Sequence, residues 1–171
     1  MLDILKTRRS VRKFDLTKKI PYETLVELCR YGAMAPSARN QQDREYVIVD
    51  DPKVIDLLSD VSKGAGVLKN ANTAIVVLGK PMMDQTTPEM VPQDLSATTE
   101  NILLAARALN IGSCWIGIYP IDTRMILAKE ALNINDDRFV FSIIALGYPE
   151  DLSVFEEKDK LDLSDIHHNE A

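Results

Sequence analysis

The chain carries only two cysteines, two histidines and one tryptophan in 171 residues. Two cysteines make no disulfide framework at this length. Cys29 falls in an apolar helical stretch and Cys114 at the head of an apolar strand, so both read as small buried hydrophobes. His167 and His168 stand alone near the C-terminus, and no pair of cysteines or histidines has zinc-ligand spacing, which argues against a metal site. Long apolar runs are missing too. The longest, Ala74 to Gly79, is far shorter than the roughly 20 residues that cross a bilayer. The first six residues lack the apolar core and cleavage site of a signal peptide. These absences favour a cytoplasmic protein with no membrane partner. The net charge of −6 excludes coating nucleic acid by counterion release. No repeat, linker or low-complexity stretch divides the chain, so 1–171 reads as one domain.

What is present is periodic. Leu2 to Arg8 suits a short helix. Pro21 fits the first turn of a second, and Leu25, Leu28 and Cys29 keep helical spacing until Pro36. Tyr46 to Val49 reads as a strand and Pro52 to Val61 as a helix. Thr73 to Gly79 is a continuous apolar run that suits a central strand covered on both faces. Met82 to Pro92 reads as a loop. In Asp94 to Leu109, Leu95, Ile102 and Leu109 recur every seven residues, with Leu103 and Ala106 widening a buried stripe. Ser113 to Tyr119 is a strand, Ile121 to Leu132 a helix and Phe139 to Gly147 a strand. On pattern alone this alternation suggests a parallel, doubly wound sheet, although no glycine fingerprint follows the first strand. The tail, 150–171, is too polar to cover a sheet and must lie along a surface.

Four segments bear chemistry. Between Lys6 and Lys19 stand seven lysines and arginines against one acid, Asp15, a local surplus that asks for an anion. Within it, Arg8, Arg9 and Ser10 could grip a phosphate or form a solvated basic turn. Ala35 to Gln42 is a stiff turn followed by amides, suited either to a polar loop or to orienting a heterocycle. Gly112 to Tyr119 places Trp115 and Gly117 in an apolar strand, where the tryptophan fits a core and the glycine allows close approach to a ligand. Last, Gly147-Tyr148-Pro149 precedes Lys158 and Lys160.

In this order the four segments resemble the nitroreductase family of flavoproteins over nearly the whole chain: Arg8-Arg9-Ser10 followed by Arg12 and Phe14, then Ala35 to Gln42, then Gly112 to Gly117, then Gly147 to Pro149 with the Lys158/Lys160 pair. The resemblance implies an α+β fold with a mixed, largely antiparallel sheet flanked by helices, in an intertwined homodimer whose tail packs on the partner subunit. It implies FMN at the subunit interface. Arg8, Arg9 and Ser10 would bind its phosphate and ribityl chain with Lys158 and Lys160, and Arg12 would lie at the pyrimidine end of the ring. Pro36, Ser37, Ala38 and Asn40 would come from the other subunit. Ile116 and Gly117 would offer backbone N–H groups near the reactive edge. The implied activity is NADH- or NADPH-dependent ping-pong reduction of a nitroaromatic, quinone or similar acceptor. Other flavin reactions on the same fold, and a flavin-binding module without turnover, stay open beside it. Two departures stand out. Asp43-Arg44 replaces a frequent Pro-Trp, and Lys63 to Gly66 offers no side chain matching the family's further ring contacts. Gln85 to Met90 is the candidate substrate lid.

Overall fold

Aliphatic and β-branched side chains fill Thr73–Gly79, and all seven residues of this strand are buried. A computed structural model, describing residues 2–169, makes it one of two central strands. With β1 (Arg44–Val49), β2 (Thr73–Gly79), β3 (Gly112–Gly117) and β4 (Phe139–Gly147), the sheet order is β1-β2-β4-β3. Met1, at the start of the predicted domain, and Glu170 and Ala171, at the end of the predicted tail, lie outside the described residues.

All three ladders are antiparallel, which corrects the parallel sheet that alternation alone suggests. A single crossover helix between β1 and β2 would return the second strand parallel to the first. Here helix α3 (Pro52–Ser59) is followed by a second segment, the 3₁₀ turns Lys63–Asn70, packed back on it, and β2 enters in the reverse sense. Helix α4 (Val91–Ala108) leads into β3, which pairs with β4 and not with β2. The one parallel pairing among the described residues is an isolated bridge, Ser10 to Ser113.

Period-two alternation divides the core between the two faces of the sheet. Ala74, Val76 and Leu78 of β2 face α3, the Lys63–Asn70 turns and α5 (Asp122–Ala131), while Ile75 and Val77 face α2 (Tyr22–Ala33) and α4. A register shift between Val77 and Leu78 bends the β2–β4 ladder. The helices begin where local chemistry favours them. Asp51 caps α3 by accepting from Lys53 N at 2.8 Å, with Pro52 at its first turn. Helix α4 starts at Val91, three residues before the predicted Asp94, because Pro92 is tolerated in a first turn. The predicted loop before it holds two 3₁₀ turns, Met82–Asp84 and Pro88–Met90. The predicted strand Ser113 to Tyr119 ends at Gly117, and helix α1 (Leu2–Thr7) at Thr7. Cys114 is buried as expected, but Cys29 is only half-buried, on the opposite face. The tail keeps two short turns, Leu152–Phe155 and Leu163–Asp165, and every residue of 156–169 is exposed.

Candidate functional site

Val11 and Phe14 interrupt the basic run three residues apart, and that interruption fixes the segment in space. Both are buried, at 2% and 3% exposure, while Arg12 and Lys13 between them are exposed. They lie over Gly112 and Gly147, which oppose each other across the β3–β4 ladder. A Cβ on Gly112 would come within 2.9 Å of Val11, and one on Gly147 within 2.9 Å of Phe14. Only glycine admits so close an approach. Val11 N donates to the Ser113 carbonyl at 2.9 Å and Asp15 N to the Tyr148 carbonyl at 2.8 Å. The basic segment therefore runs along the free edge of β3.

That bond also sets which backbone groups face outward. Along a strand the N–H and C=O of one residue share a direction that alternates with the next. A Ser113 carbonyl turned toward Val11 puts the backbone groups of Trp115 and Gly117 on the same free edge. Ile116 has its backbone on the β4 side, opposite Ile143, and its side chain buried. Gly117 is exposed, its carbonyl accepts from Arg124 Nη1 at 2.9 Å, and nothing lies within 4 Å of a Cβ built on it. Trp115 is half-buried against Phe141, with ring centroids 6.3 Å apart.

The basic side chains are arranged unequally. Arg8 is paired with Glu100 of α4 at 3.2 Å, and burial pushes the Glu100 carboxyl up against the opposing pull of Arg8. Arg9 folds over the end of α1, donating from Nη1 to the Arg8 carbonyl at 2.6 Å and from Nη2 to the Lys6 carbonyl at 2.9 Å. Its Nε is buried with no partner among the described residues. Ser10 and Arg12 are exposed, and Arg12 Nη1 donates to the Ser10 carbonyl at 3.3 Å. Burial raises the Cys114 thiol, which Arg12 partly offsets.

The tail returns to this cluster. Lys158 N donates to the Lys6 carbonyl at 3.4 Å, and Lys6 pairs with Glu157 at 3.1 Å. Lys158 pairs with Glu156 at 2.5 Å, and that bond holds Glu156 below its ordinary range, with Arg9 adding to the effect. One protomer thus brings Arg8, Arg9, Ser10 and Lys158 together. Lys160 is exposed and has no ion pair among the described residues. Under the tail, Phe155 lies beneath the Arg107 guanidinium, 4.2 Å from its ring centroid.

Residues 36–42 form a separate group, with no hydrogen bond or ion pair to the basic segment among the described residues. Pro36 and Asn40 are exposed, Ser37 and Ala38 half-buried. Arg39, Asn40 and Gln42 adopt φ of 49°, 55° and 48°, a left-handed conformation that costs an L-residue about 1 kcal/mol or more. Ala38 N donates to both Asp94 oxygens at 3.0 Å, and Gln42 N to Ser37 Oγ at 3.1 Å. Asp43, fully buried, rests beside Asp94. Burial, then the Asp94 charge, raises its carboxyl. Asp94, Glu100 and Arg107 all lie on α4 and carried no functional signal in the sequence, because what gives each its role is a partner about 50 or more residues away.

Sequence and fold comparisons bear on the family and the fold. The profile of the nitroreductase family matches residues 5–66 and 63–148. An Archaeoglobus fulgidus protein, provisionally described as an NADH dehydrogenase/NAD(P)H nitroreductase, is 40% identical over 92% of this chain and 90% of its own. The crystal structure of a provisionally described NADH oxidase from Clostridium acetobutylicum superposes with a TM-score of 0.92 at 39% identity, over 98% of this chain and 99% of that one. An FMN-dependent nitroreductase from Clostridium difficile superposes with a TM-score of 0.84 at 28% identity, over 100% of both chains. The chain belongs to the nitroreductase family.

Proposed function

We propose that the chain is an FMN-dependent NAD(P)H oxidoreductase that works as a cytoplasmic homodimer. The observation that carries this reading is the buried, unpartnered Arg9 Nε in a basic segment pinned to the same strand edge as the exposed Gly117. An N–H donor buried without a partner costs about 1–3 kcal/mol, and a phosphate oxygen is the acceptor a guanidinium fits best. The acids now beside the cluster are easily displaced. The Lys6–Glu157 and Lys158–Glu156 pairs are exposed and screened by solvent, so they hold only weakly. Bonds from charged donors to phosphate contribute more, about 1.5–3 kcal/mol each.

In this reading Arg8, Arg9, Ser10, Lys158 and Lys160 hold the FMN phosphate and ribityl chain. Arg12, exposed on the same edge, favours negative charge at the pyrimidine end of the ring. Gly117 lines the reactive edge and leaves room for a planar group, while Ile116, its backbone turned to β4 and its side chain buried, backs the strand behind it rather than offering the N–H that the resemblance implies. Residues Pro36, Ser37, Ala38 and Asn40 come from the other subunit, which agrees with their separation from the basic segment inside one protomer. The chemistry that bound FMN supplies is hydride transfer, first from NADH or NADPH and then to a nitroaromatic, quinone or similar acceptor. The protein positions both partners over the ring in turn and excludes water.

The dimer is supported by an apolar groove of about 690 Å³ between α1, α2 and α4, lined by Leu5, Tyr31, Met34 and Leu104 among others. Leu161, Leu163 and Ile166 of the tail are exposed, so each subunit carries both an apolar groove and apolar side chains to fill one. Two free cysteines suit a reducing compartment. The test is a visible spectrum of purified protein, with the released cofactor identified by mass, before and after anaerobic NADH or NADPH. An FMN spectrum that bleaches, and returns with an added acceptor, is the expected result. A colourless protein that takes up no added FMN sinks the proposal.

A further inference from the structure

The three left-handed residues between Arg39 and Gln42 persist only if their surroundings hold them there. The structure shows what does so. Gln41 points inward and uses both ends of its amide. Its Nε2 donates to Asp94 Oδ2 at 2.8 Å and approaches the Thr87 carbonyl at 3.4 Å and Asp43 Oδ2 at 3.5 Å. Its Oε1 accepts from Thr87 N at 3.1 Å and Thr87 Oγ1 at 3.0 Å. Asp94, 7% exposed near the start of α4, also receives Ala38 N. One side chain therefore joins two surface segments 46 residues apart in sequence, 38–42 and the 81–90 loop that holds the candidate lid.

We infer that Gln41, anchored by Asp94, is a positioning residue that locks the 81–90 loop to residues 38–42, so that a ligand seating one segment also seats the other. The alternative, two loops moving independently, would leave Gln41 with no partner on the second loop. Met83, 96% exposed at the outer end of that loop, is then carried by whatever orders residues 38–42. This deepens the proposed function and rests on it at one point, that FMN contacts residues 36–40. The lock itself is a property of the protein alone.

The test is amide hydrogen exchange on full-length protein, with and without FMN, in wild type and in Gln41→Met, which keeps the volume and removes the bonds. The Thr87 amide is expected to exchange about tenfold faster in the variant, the loss of one well-made hydrogen bond, with the amides of β2 unchanged. In wild type, FMN should slow exchange both at 38–42 and at Thr87. In Gln41→Met it should slow 38–42 alone, a change that a merely structural role for Gln41 does not produce. Thr87→Ala, a loop substitution that leaves the buried acids in place, removes the Oγ1 bond but keeps the backbone bond to Gln41 Oε1, so the amide at position 87 should speed up by less than in Gln41→Met, and an equal or larger increase would overturn the role of Gln41. The lock is overturned if Thr87 keeps its protection in Gln41→Met, or if FMN slows 38–42 in wild type without touching Thr87. An FMN titration that alters no amide refutes the cofactor reading instead, and the Thr87 rate in the variant still decides the lock.

Discussion

Gly112→Ala tests the account of how the basic segment is held. The new Cβ would stand 2.9 Å from Val11 Cβ and Cγ1 and 3.0 Å from Cγ2. Val11 Cβ is bonded to the backbone, so relief requires the whole segment around it to move away from β3. Such overpacking costs about 1–3 kcal/mol. No glycine has positive φ here, so alanine also gains about 0.4–1 kcal/mol by restricting the unfolded chain. The net expectation is a loss of about 1–2 kcal/mol, or roughly 3–6 °C in Tm for a chain of this size. Because Val11 N anchors the segment to Ser113, the same displacement moves Arg9 and Ser10, and FMN affinity should fall about tenfold, the weakening of one charge-assisted bond. Scanning calorimetry of the apoprotein and FMN fluorescence quenching read the two effects separately. Gly117→Ala is the control. Its Cβ meets open space, so Tm should hold while flavin binding or turnover drops. Adding Val11→Ala to Gly112→Ala should recover part of the loss, a coupling that independent sites do not show. A Gly112→Ala protein as stable as wild type, with unchanged FMN affinity, refutes the reasoning.

Three further outcomes follow from burial and charge. Asp43 is buried beside Asp94, so its folded carboxyl titrates above the unfolded value; the stability it permits is full below the unfolded pKa and lost as pH rises through the folded one, with Arg44 and Lys80 opposing the shift. Asp43→Asn should therefore raise Tm at neutral pH and flatten its decline from pH 4 upward, roughly the range above an ordinary aspartate; an unchanged Tm–pH profile contradicts this. Burial pushes the Cys29 thiol up to about 11, so alkylation at Cys29 should be slow at neutral pH and climb until strongly alkaline pH, as peptide mapping of iodoacetamide adducts would reveal. Truncation after Phe155 keeps the Arg107 contact and, among the described residues, removes only exposed ones; it should give a flavin-poor monomer by light scattering and absorbance, and a yellow dimer would exclude the tail from both roles.

The elements legible in the sequence are those whose signal is local. The apolar run of β2, the stripe of α4 and the proline-led starts of α2 and α3 need no distant partner to be recognised. Strand order and direction depend on distant pairings: whether β2 neighbours β4 is decided by side chains about 70 residues apart, and periodicity is silent about it. The same division runs through the candidate site. The basic residues at the two ends of an acidic chain point to one anion, and the fold does bring Lys158 to Lys6 and Arg9. The apolar residues inside the basic run, Val11 and Phe14, were the readable clue to how it is anchored, but their glycine seats lie about 100 or more residues on. That Arg8 is engaged by Glu100 has no trace in spacing at all.

Asp43 and Arg44 show what such a departure from the family pattern does. A Pro-Trp pair at these positions would present an apolar wall, whereas here an acid is fully buried and a half-buried arginine donates from Nη2 to the Ala33 carbonyl. Two acids side by side in a low-dielectric interior repel strongly unless one keeps its proton or an amide stands between them. Gln41 Nε2 stands at 2.8 Å from one and 3.5 Å from the other. The polar replacement is thus compatible with burial only because the neighbouring glutamine turns inward, and a glutamine turned inward can reach Thr87. On this reasoning the buried Asp43 and the connection between the two loops go together, and the stronger anchor is Asp94: Asp94→Asn, which weakens the 2.8 Å bond to Gln41 Nε2, should let the Thr87 amide exchange faster even though Gln41 itself is untouched.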